Sequence, residues 1–370
     1  MRRLLASLCA LFLSAQAQAQ IIPSVNLYST YTDNLFLSNS RQADWINLAF
    51  VDFDYILNED FGLFYSGSAH HFNENDELFN HLHQVGLSFA RPFGDTGSLY
   101  AGTEFGLRLD RPLYDYRSFY QARGFVSAKA YLRPALLAHA SYSARRQDYL
   151  NAADYSYFEQ NINTRLTHFL PTRTTLQIAS ELGWKTYVHA GDELSFVDFE
   201  IPARFGQDRH LLQWVASAKI AQSIGADMGL QIEWRRRAQL SGESRYLGTL
   251  FYNPADDLFD DRYSYSGQHL KTTLKYLAPW GATWQSTLER ENRDYSGRPA
   301  YDATGQSLQQ TQAETRYAAR IGLQKTFYLD GGWIREIGVD SEWSYRRIDS
   351  NDPYYDAGAR SYTLGLQIGF

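Results

Sequence analysis

The stretch RSYTLGLQIGF, residues 360–370, sets Tyr362, Leu364, Leu366, Ile368 and Phe370 on one parity and Ser361, Thr363, Gly365, Gln367 and Gly369 on the other. Successive side chains of a strand point to opposite faces, so a strict period of two marks a ribbon whose faces meet different media. The pattern recurs upstream. WINLAFVDFDYIL (45–57) opposes Trp45, Ala49, Val51, Phe53, Tyr55 and Leu57 to Asp52 and Asp54. SLYAGTEFGLRLD (98–110) opposes Leu99, Ala101, Phe105, Leu107 and Leu109 to Glu104, Arg108 and Asp110. TTLQIASELGWKTYV (174–188) and ETRYAARIGLQKTF (314–327) do the same.

About sixteen such segments are expected, near 24–33, 45–57, 61–71, 81–92, 98–110, 117–132, 136–148, 157–170, 173–188, 208–222, 227–239, 265–277, 282–295, 310–328, 332–347 and 361–370. None carries a sustained helical period. Their connectors alternate. Short ones such as NED (58–60), FGDTG (93–97), RPA (133–135) and GAD (225–227) hold hairpin-turn residues, while long polar ones cover 72–80, 149–156, 189–207, 240–264, 296–309 and 348–360. Turns at one end and loops at the other describe an up-and-down antiparallel barrel.

A soluble sandwich would also alternate, but its strands usually stop at about five or six residues. These segments run well beyond that and match the ~9–11 residues that cross a bilayer at a tilt, with extra length outside it. The chain of 370 residues also holds 27 Tyr, 22 Phe and 8 Trp. Trp45, Trp184, Trp214, Trp234, Trp284, Trp333 and Trp343 stand towards the ends of apolar faces, as interfacial girdles require. The fold class expected is therefore all-β: a transmembrane antiparallel barrel with short periplasmic turns and long extracellular loops. No linker or composition shift divides it.

MRRLLASLCALFLSAQAQAQ joins a basic start, an apolar run and Ala17-Gln18-Ala19, the layout of an export signal over 1–19, leaving 20–370 as the barrel. Cys9 is the one cysteine and leaves with the signal, so no disulfide framework is expected. The net charge of −6 argues against nucleic acid as a partner.

A barrel of this size has room for water inside. The polar parity carries the expected pore-lining residues Glu104, Arg108, Arg123, Lys129, Arg145, Arg165, Glu181, Lys185, Glu233, Arg235, Arg237, Glu289, Arg316, Arg320 and Glu342, with further ions at Asp52, Asp54, Lys271, Lys275, Asp340 and Arg346. The signs nearly balance, so only their segregation across the lumen would orient a solute. HAGDELSFVDFEIPARFGQD (189–208) is long and partly apolar, and is the loop expected to narrow the pore through Asp192, Glu193, Asp198 and Glu200; an outward hairpin is the alternative. YNPADDLFDDRY (252–263) clusters Asp256, Asp257, Asp260 and Asp261 without the ligand spacing of a calcium loop, and is expected to be solvated.

HHFNENDELFNHLH (70–83) holds four of the nine histidines, and an antiparallel pairing would oppose His71 to His81. Such a pair is a weak Zn²⁺ or Cu²⁺ candidate. Its parity is that of Tyr65, Val85 and Leu87, so interfacial histidines beside lipopolysaccharide are the expected reading, with no metal or cofactor.

Three resemblances accompany these patterns. The terminal strand, with Tyr362 and a final Phe370, resembles the signal read by the assembly machinery of Gram-negative outer membranes. YTDNLFLSNSRQADWINLAF (31–50) resembles the opening of β-barrel porins of Gram-negative bacteria, through Asp33, Asn34, Phe36, Ser38 and Asp44. HASYS (139–143) shares with outer-membrane phospholipases only His139 and Ser141; Tyr142 and Ser143 replace the family's Asn-Gly, and the parity is inward, so no catalytic residue is expected. The resemblances imply an outer-membrane location, with lipid and lipopolysaccharide as surroundings, and the porin-like opening implies relatives linked with exopolysaccharide or capsule export. The size and charged interior of the barrel give passive diffusion of small hydrophilic solutes as the expected function. A secretion pore for exopolysaccharide or capsule, and a closed structural barrel, are the alternatives.

Overall fold

The computed structural model describes residues 20–189, 208–245, 261–330 and 332–370. The export signal expected over 1–19 lies outside them, as do Asp192, Glu193, Asp198 and Glu200 of the expected constriction loop and Asp256, Asp257 and Asp260 of the acidic run. The strands in order are β1 (Gln20–Thr32), β2 (Asp44–Ile56), β3 (Phe61–Phe72), β4 (Asn80–Phe93), β5 (Gly97–Asp110), β6 (Phe119–Arg133), β7 (Leu136–Tyr149) and β8 (Tyr157–Phe169). They continue as β9 (Thr174–Tyr187), β10 (His210–Ile224), β11 (Met228–Ser241), β12 (Tyr265–Leu277), β13 (Ala282–Tyr301), β14 (Ser307–Tyr328), β15 (Glu336–Ser350) and β16 (Ala357–Gly369). Each pairs antiparallel with its neighbours in sequence, and β16 returns to β1, so the sheet is a closed barrel. Closure leaves no strand edge with unpaired backbone groups, the condition for a sheet to sit in hydrocarbon.

Register carries the two parities around the cylinder, with shifts only near strand ends at Leu212/Gln213 and Tyr131/Arg133 and in the extension of β13. At the seam, Leu27 pairs with Leu366 and Tyr31 with Tyr362; Tyr31 in turn pairs with Trp45, their rings 5.4 Å apart. The face these residues share is bare. Phe105, Leu288 and Leu364 are 62%, 62% and 65% exposed, whereas Tyr157, Tyr187 and Tyr263 on the opposite side are 1% exposed. An apolar belt therefore faces outward and the buried and ionic groups face inward, the inverse of a soluble barrel. No helix among the described residues is long and apolar enough to cross a membrane, so any crossing is made by strands.

Glycine serves the inner wall at two cross-strand pairs. Phe64 lies over Gly86 and Phe125 over Gly102, where an added Cβ would come within 2.3 Å and 2.8 Å of the rings.

The chain turns at one end through 57–60, 94–96, 134–135, 170–173, 225–227 and 278–281, and through the partly described 329–335. At the other it passes through 33–43, 73–79, 111–118, 150–156, 302–306 and 351–356, and through the partly described 188–209 and 242–264. Two expectations need correction. Residues 296–309 are not a loop: β13 and β14 extend beyond the other strands and meet at a turn over 302–306, where the Asp302 carboxylate accepts from the amides of Thr304 (2.8 Å) and Gln306 (2.9 Å). This projecting hairpin has no apolar face, and Pro299 sits at a register shift, so alternation does not reveal it. Trp333 does not belong to an apolar face; it lies in the turn before β15 and is 88% exposed.

Candidate functional site

The site is the lumen, built from the inward parity of every strand. Ladder pairing places Glu104, Arg108, Arg123, Lys129, Arg145, Arg165, Glu181, Lys185, Glu233, Arg235, Arg237, Glu289, Arg316, Arg320 and Glu342 on the face of the buried tyrosines.

At the loop end this wall is filled. Tyr149, Tyr155, Tyr157, Tyr187, Leu211 and Tyr263 form one buried cluster, against which Tyr116, Phe119 and Tyr355 pack. Tyr355 comes from the β15–β16 loop, about half the circumference away from β8, so this contact spans the mouth. Tyr116 also packs on a second cluster of Phe36, Phe72, Leu78 and Tyr114, which joins the first three loops. Asp44 ties the second of those loops to the wall by accepting from the amides of Asn73, Glu74 and Asn75, at 3.0, 3.0 and 3.2 Å.

Beneath the tyrosines lies an ionic knot made by the β11–β12 connection. A short 3₁₀ turn, Arg262–Ser264, carries Arg262 to within 2.5 Å of Glu159 and 2.9 Å of Glu181. Glu159 also accepts from Arg145 at 2.6 Å and from the Tyr263 hydroxyl at 2.9 Å. Asp261 caps the turn by accepting from the Tyr263 amide, and its other oxygen lies 2.5 Å from Lys185 and 2.8 Å from Ser244. The Lys185 ammonium sits over the Tyr157 ring at 3.9 Å and the Tyr187 ring at 4.9 Å. Burial works against the Arg262 charge, but Glu159 and Glu181 outweigh it and hold the guanidinium above its ordinary range; burial likewise pushes the Tyr263 phenol up.

Asp261 was expected in water, and it is instead a buried partner of Lys185. The sequence gives no warning because the two are 76 residues apart. Arg262 and Tyr263 were likewise missed; the one available hint is a cation and an aromatic at the end of an acidic run.

Lower in the barrel, towards the turn end, the charges separate. Asp52 and Asp54 on β2 and Asp340 and Glu342 on β15 occupy the arc β15-β16-β1-β2. Lys129 on β6, Arg165 on β8, Lys219 on β10 and Lys275 on β12 occupy the facing arc, which also holds Glu233 on β11, the ladder partner of Lys219. All nine lie within six residues of the turn end of their strands. Opposed walls of this kind set up a transverse field across a water-filled space. Between the levels, Glu289 meets Lys271 at 3.4 Å and Arg320 at 3.7 Å. A cavity of about 260 Å³ lies there under Leu37, with Arg316, Arg320 and Arg346 facing Glu289 and Glu291.

The histidine hairpin differs from expectation. Its 3₁₀ turn, Asp76–Leu78, sets the register so that His81 pairs with Ala69 and His83 with Gly67, and His71 packs edge-on against Phe79. His71 and His81 are therefore not opposed, and no group of three or more metal-ligating side chains occurs among the described residues. Tyr362 stands between Tyr31 and Trp343, and the Phe370 amide reaches the Pro23 carbonyl at 3.4 Å.

No protein-family model and no curated protein matches the sequence. Solved structures share its fold. OccAB1 of Acinetobacter baumannii aligns over 96% of this chain and 99% of its own, with a TM-score of 0.54 at 10% identity. OccK2 (OpdF) of Pseudomonas aeruginosa, in complex with glucuronate, aligns over 95% and 98% with a TM-score of 0.54 at 10% identity. OpdK of the same organism, with vanillate, aligns over 95% and 98% with a TM-score of 0.51 at 9% identity. What this chain shares with them end to end is the fold, a closed sixteen-stranded antiparallel barrel.

Proposed function

We propose that the protein is an outer-membrane channel of a Gram-negative cell through which small hydrophilic solutes diffuse, with its turn end in the periplasm and its loop end outside. The observation that carries this is the division of one closed sheet into a bare apolar belt and an ionic inner wall. Residues 1–19 would be removed on export, and the strand ending at Phe370, with Tyr362 on its belt face, would be the segment read by the assembly machinery. The expected pore-lining residues keep that role, and Arg316, Arg320 and Arg346 suit solutes that carry a negative group. Glucuronate and vanillate, bound by the two neighbours above, are both carboxylates. His139 and Ser141 receive no catalytic role.

The tyrosine cluster at the mouth favours a second reading, a barrel whose lumen is closed. Planar-bilayer recording of the purified protein decides between them. Stepwise conductance, reduced by millimolar glucuronate more than by an uncharged sugar of equal size, supports the channel. A silent bilayer containing inserted protein supports the closed barrel, and block by sugar polymers alone supports the exopolysaccharide pore.

A further inference from the structure

WRRRAQ, residues 234–239, sends Arg235 and Arg237 inward and Arg236 outward, onto the belt side beside Trp234. LEREN (288–292) does the same with Arg290 between Glu289 and Glu291, and Arg360 stands outward one step beyond Tyr362. Other outward arginines near the loop end are neutralised within the chain: Arg146 by Asp148 at 2.5 Å, and Arg347 by Asp349 and Asp356 at 2.7 and 2.5 Å. Arg236, Arg290 and Arg360 make no ion pair among the described residues. Arg290 has only the Tyr317 ring, 5.9 Å away, and Tyr317 pairs onward to Arg347.

Their heights agree. Arg236 and Arg290 lie eight residues from the turn ends of β11 and β13, and Arg360 nine from that of β16. At about 3.3 Å per residue and a tilt near 40°, that is roughly 20 Å up, close to the top of a belt ~25 Å tall. Towards the turn end the surface beside them is Trp234, Leu288 and Leu364; Leu270 is the ladder partner of Arg290 and Gln268 that of Arg236, while Asn292 stands one outward step beyond Arg290. Asp294, farther along β13 towards the loops, is the nearest outward carboxylate on that strand. A guanidinium at the edge of hydrocarbon needs an anion within reach of its long stem, and the bidentate fit of guanidinium to phosphate supplies one.

We propose that the outer face of β11–β16 docks a lipid carrying more than one phosphate, with Arg236, Arg290 and Arg360 on the phosphates and the acyl chains along Trp234, Leu270, Leu288 and Leu364. The site rests on the membrane reading above and is independent of whether the lumen conducts.

The test uses the full barrel in nanodiscs, doped with diphosphoryl lipid A or with its fully dephosphorylated counterpart of identical acyl chains, and lipid retention is read by native mass spectrometry. Retention of the diphosphoryl form at least about tenfold above the dephosphorylated one is expected, unaffected by millimolar inorganic phosphate. The triple variant R236Q/R290Q/R360Q should fall to the dephosphorylated level, while R146Q should not. Heat-modifiable gel migration verifies that each variant is folded. Equal retention of both lipids, or a folded triple variant that retains lipid like the parent, overturns the site. Displacement by inorganic phosphate overturns the lipid as its occupant. Failure of the barrel to enter nanodiscs at all overturns the membrane reading itself.

Discussion

The two ends of the lumen use the same ions differently. At the loop end Arg145, Glu159, Glu181, Lys185, Asp261 and Arg262 are bonded to one another under a lid of tyrosines. At the turn end Asp54 and Asp340 stand on the arc opposite Lys219 and Lys275, and none of the four makes an ion pair among the described residues. The difference lies in what reaches them. A loop entering the mouth brings partners that strand geometry cannot, whereas turns of a few residues bring none. Pairing makes the loop end a place of closure, and separation makes the turn end a place where a field persists.

The contrast is broken most severely at Lys185. Lys185→Met leaves the buried Asp261 carboxylate without its cation, and losing one member of such a pair costs about 3–5 kcal/mol. Hydrogen exchange should show residues 261–264 released from the wall, with the β-sheet signal retained.

Arg262→Gln is next. It removes two ion pairs, but the guanidinium is partly exposed and Arg145 still serves Glu159, so about 1–2 kcal/mol is expected. Larger and noisier current steps in planar bilayers would show the mouth loosened; unchanged steps would mean that the knot does not gate the passage.

At the turn end, D54N/D340N and K219Q/K275Q should leave thermal unfolding within about 0.5 kcal/mol of the parent. They should move the reversal potential in a salt gradient in opposite directions. Shifts of the same sign would mean that the two walls do not act as a separated pair.

The smallest effect concerns loop 73–79. The hydrogen bond and charge of Arg111 hold Asp76 below the ordinary carboxylate value of 3.8. A carboxylate lowered in the fold contributes above its unfolded value and loses that contribution as pH falls through its folded one. Protection over 73–79, taken relative to the intrinsic exchange rate at each pH, should therefore be flat from neutrality to about pH 4 and fall below it, and Asp76→Asn should abolish that fall.

Strand positions and faces could be read from the sequence because each strand carries its own evidence: two media, two parities, and turn residues at one end. Trp45, Phe105 and Leu364 announce the outside without reference to any other segment. The knot could not be read in this way. Arg262 and Glu159 are 103 residues apart, and nothing local to either says that a loop will fold inward. The extension of β13 and β14 was hidden for a related reason: beyond the belt no face meets hydrocarbon, and the buried side is made by Arg298, Ala300 and Gln312, so no apolar alternation is imposed. His71 shows how fine the limit is, since a single short turn moved it two residues out of opposition to His81, which pairs with Ala69.

The seam between β1 and β16 makes the barrel a ring without a natural first strand. Ser24 and Gly369 are ladder partners at the turn end, so joining the two ends there and reopening the chain at 57–60 would keep every ladder while moving the terminal Phe370 into an internal turn. A permuted protein of this kind separates two things that coincide in the parent: the geometry that closes the cylinder, and the free aromatic end proposed as the mark that brings it to the membrane.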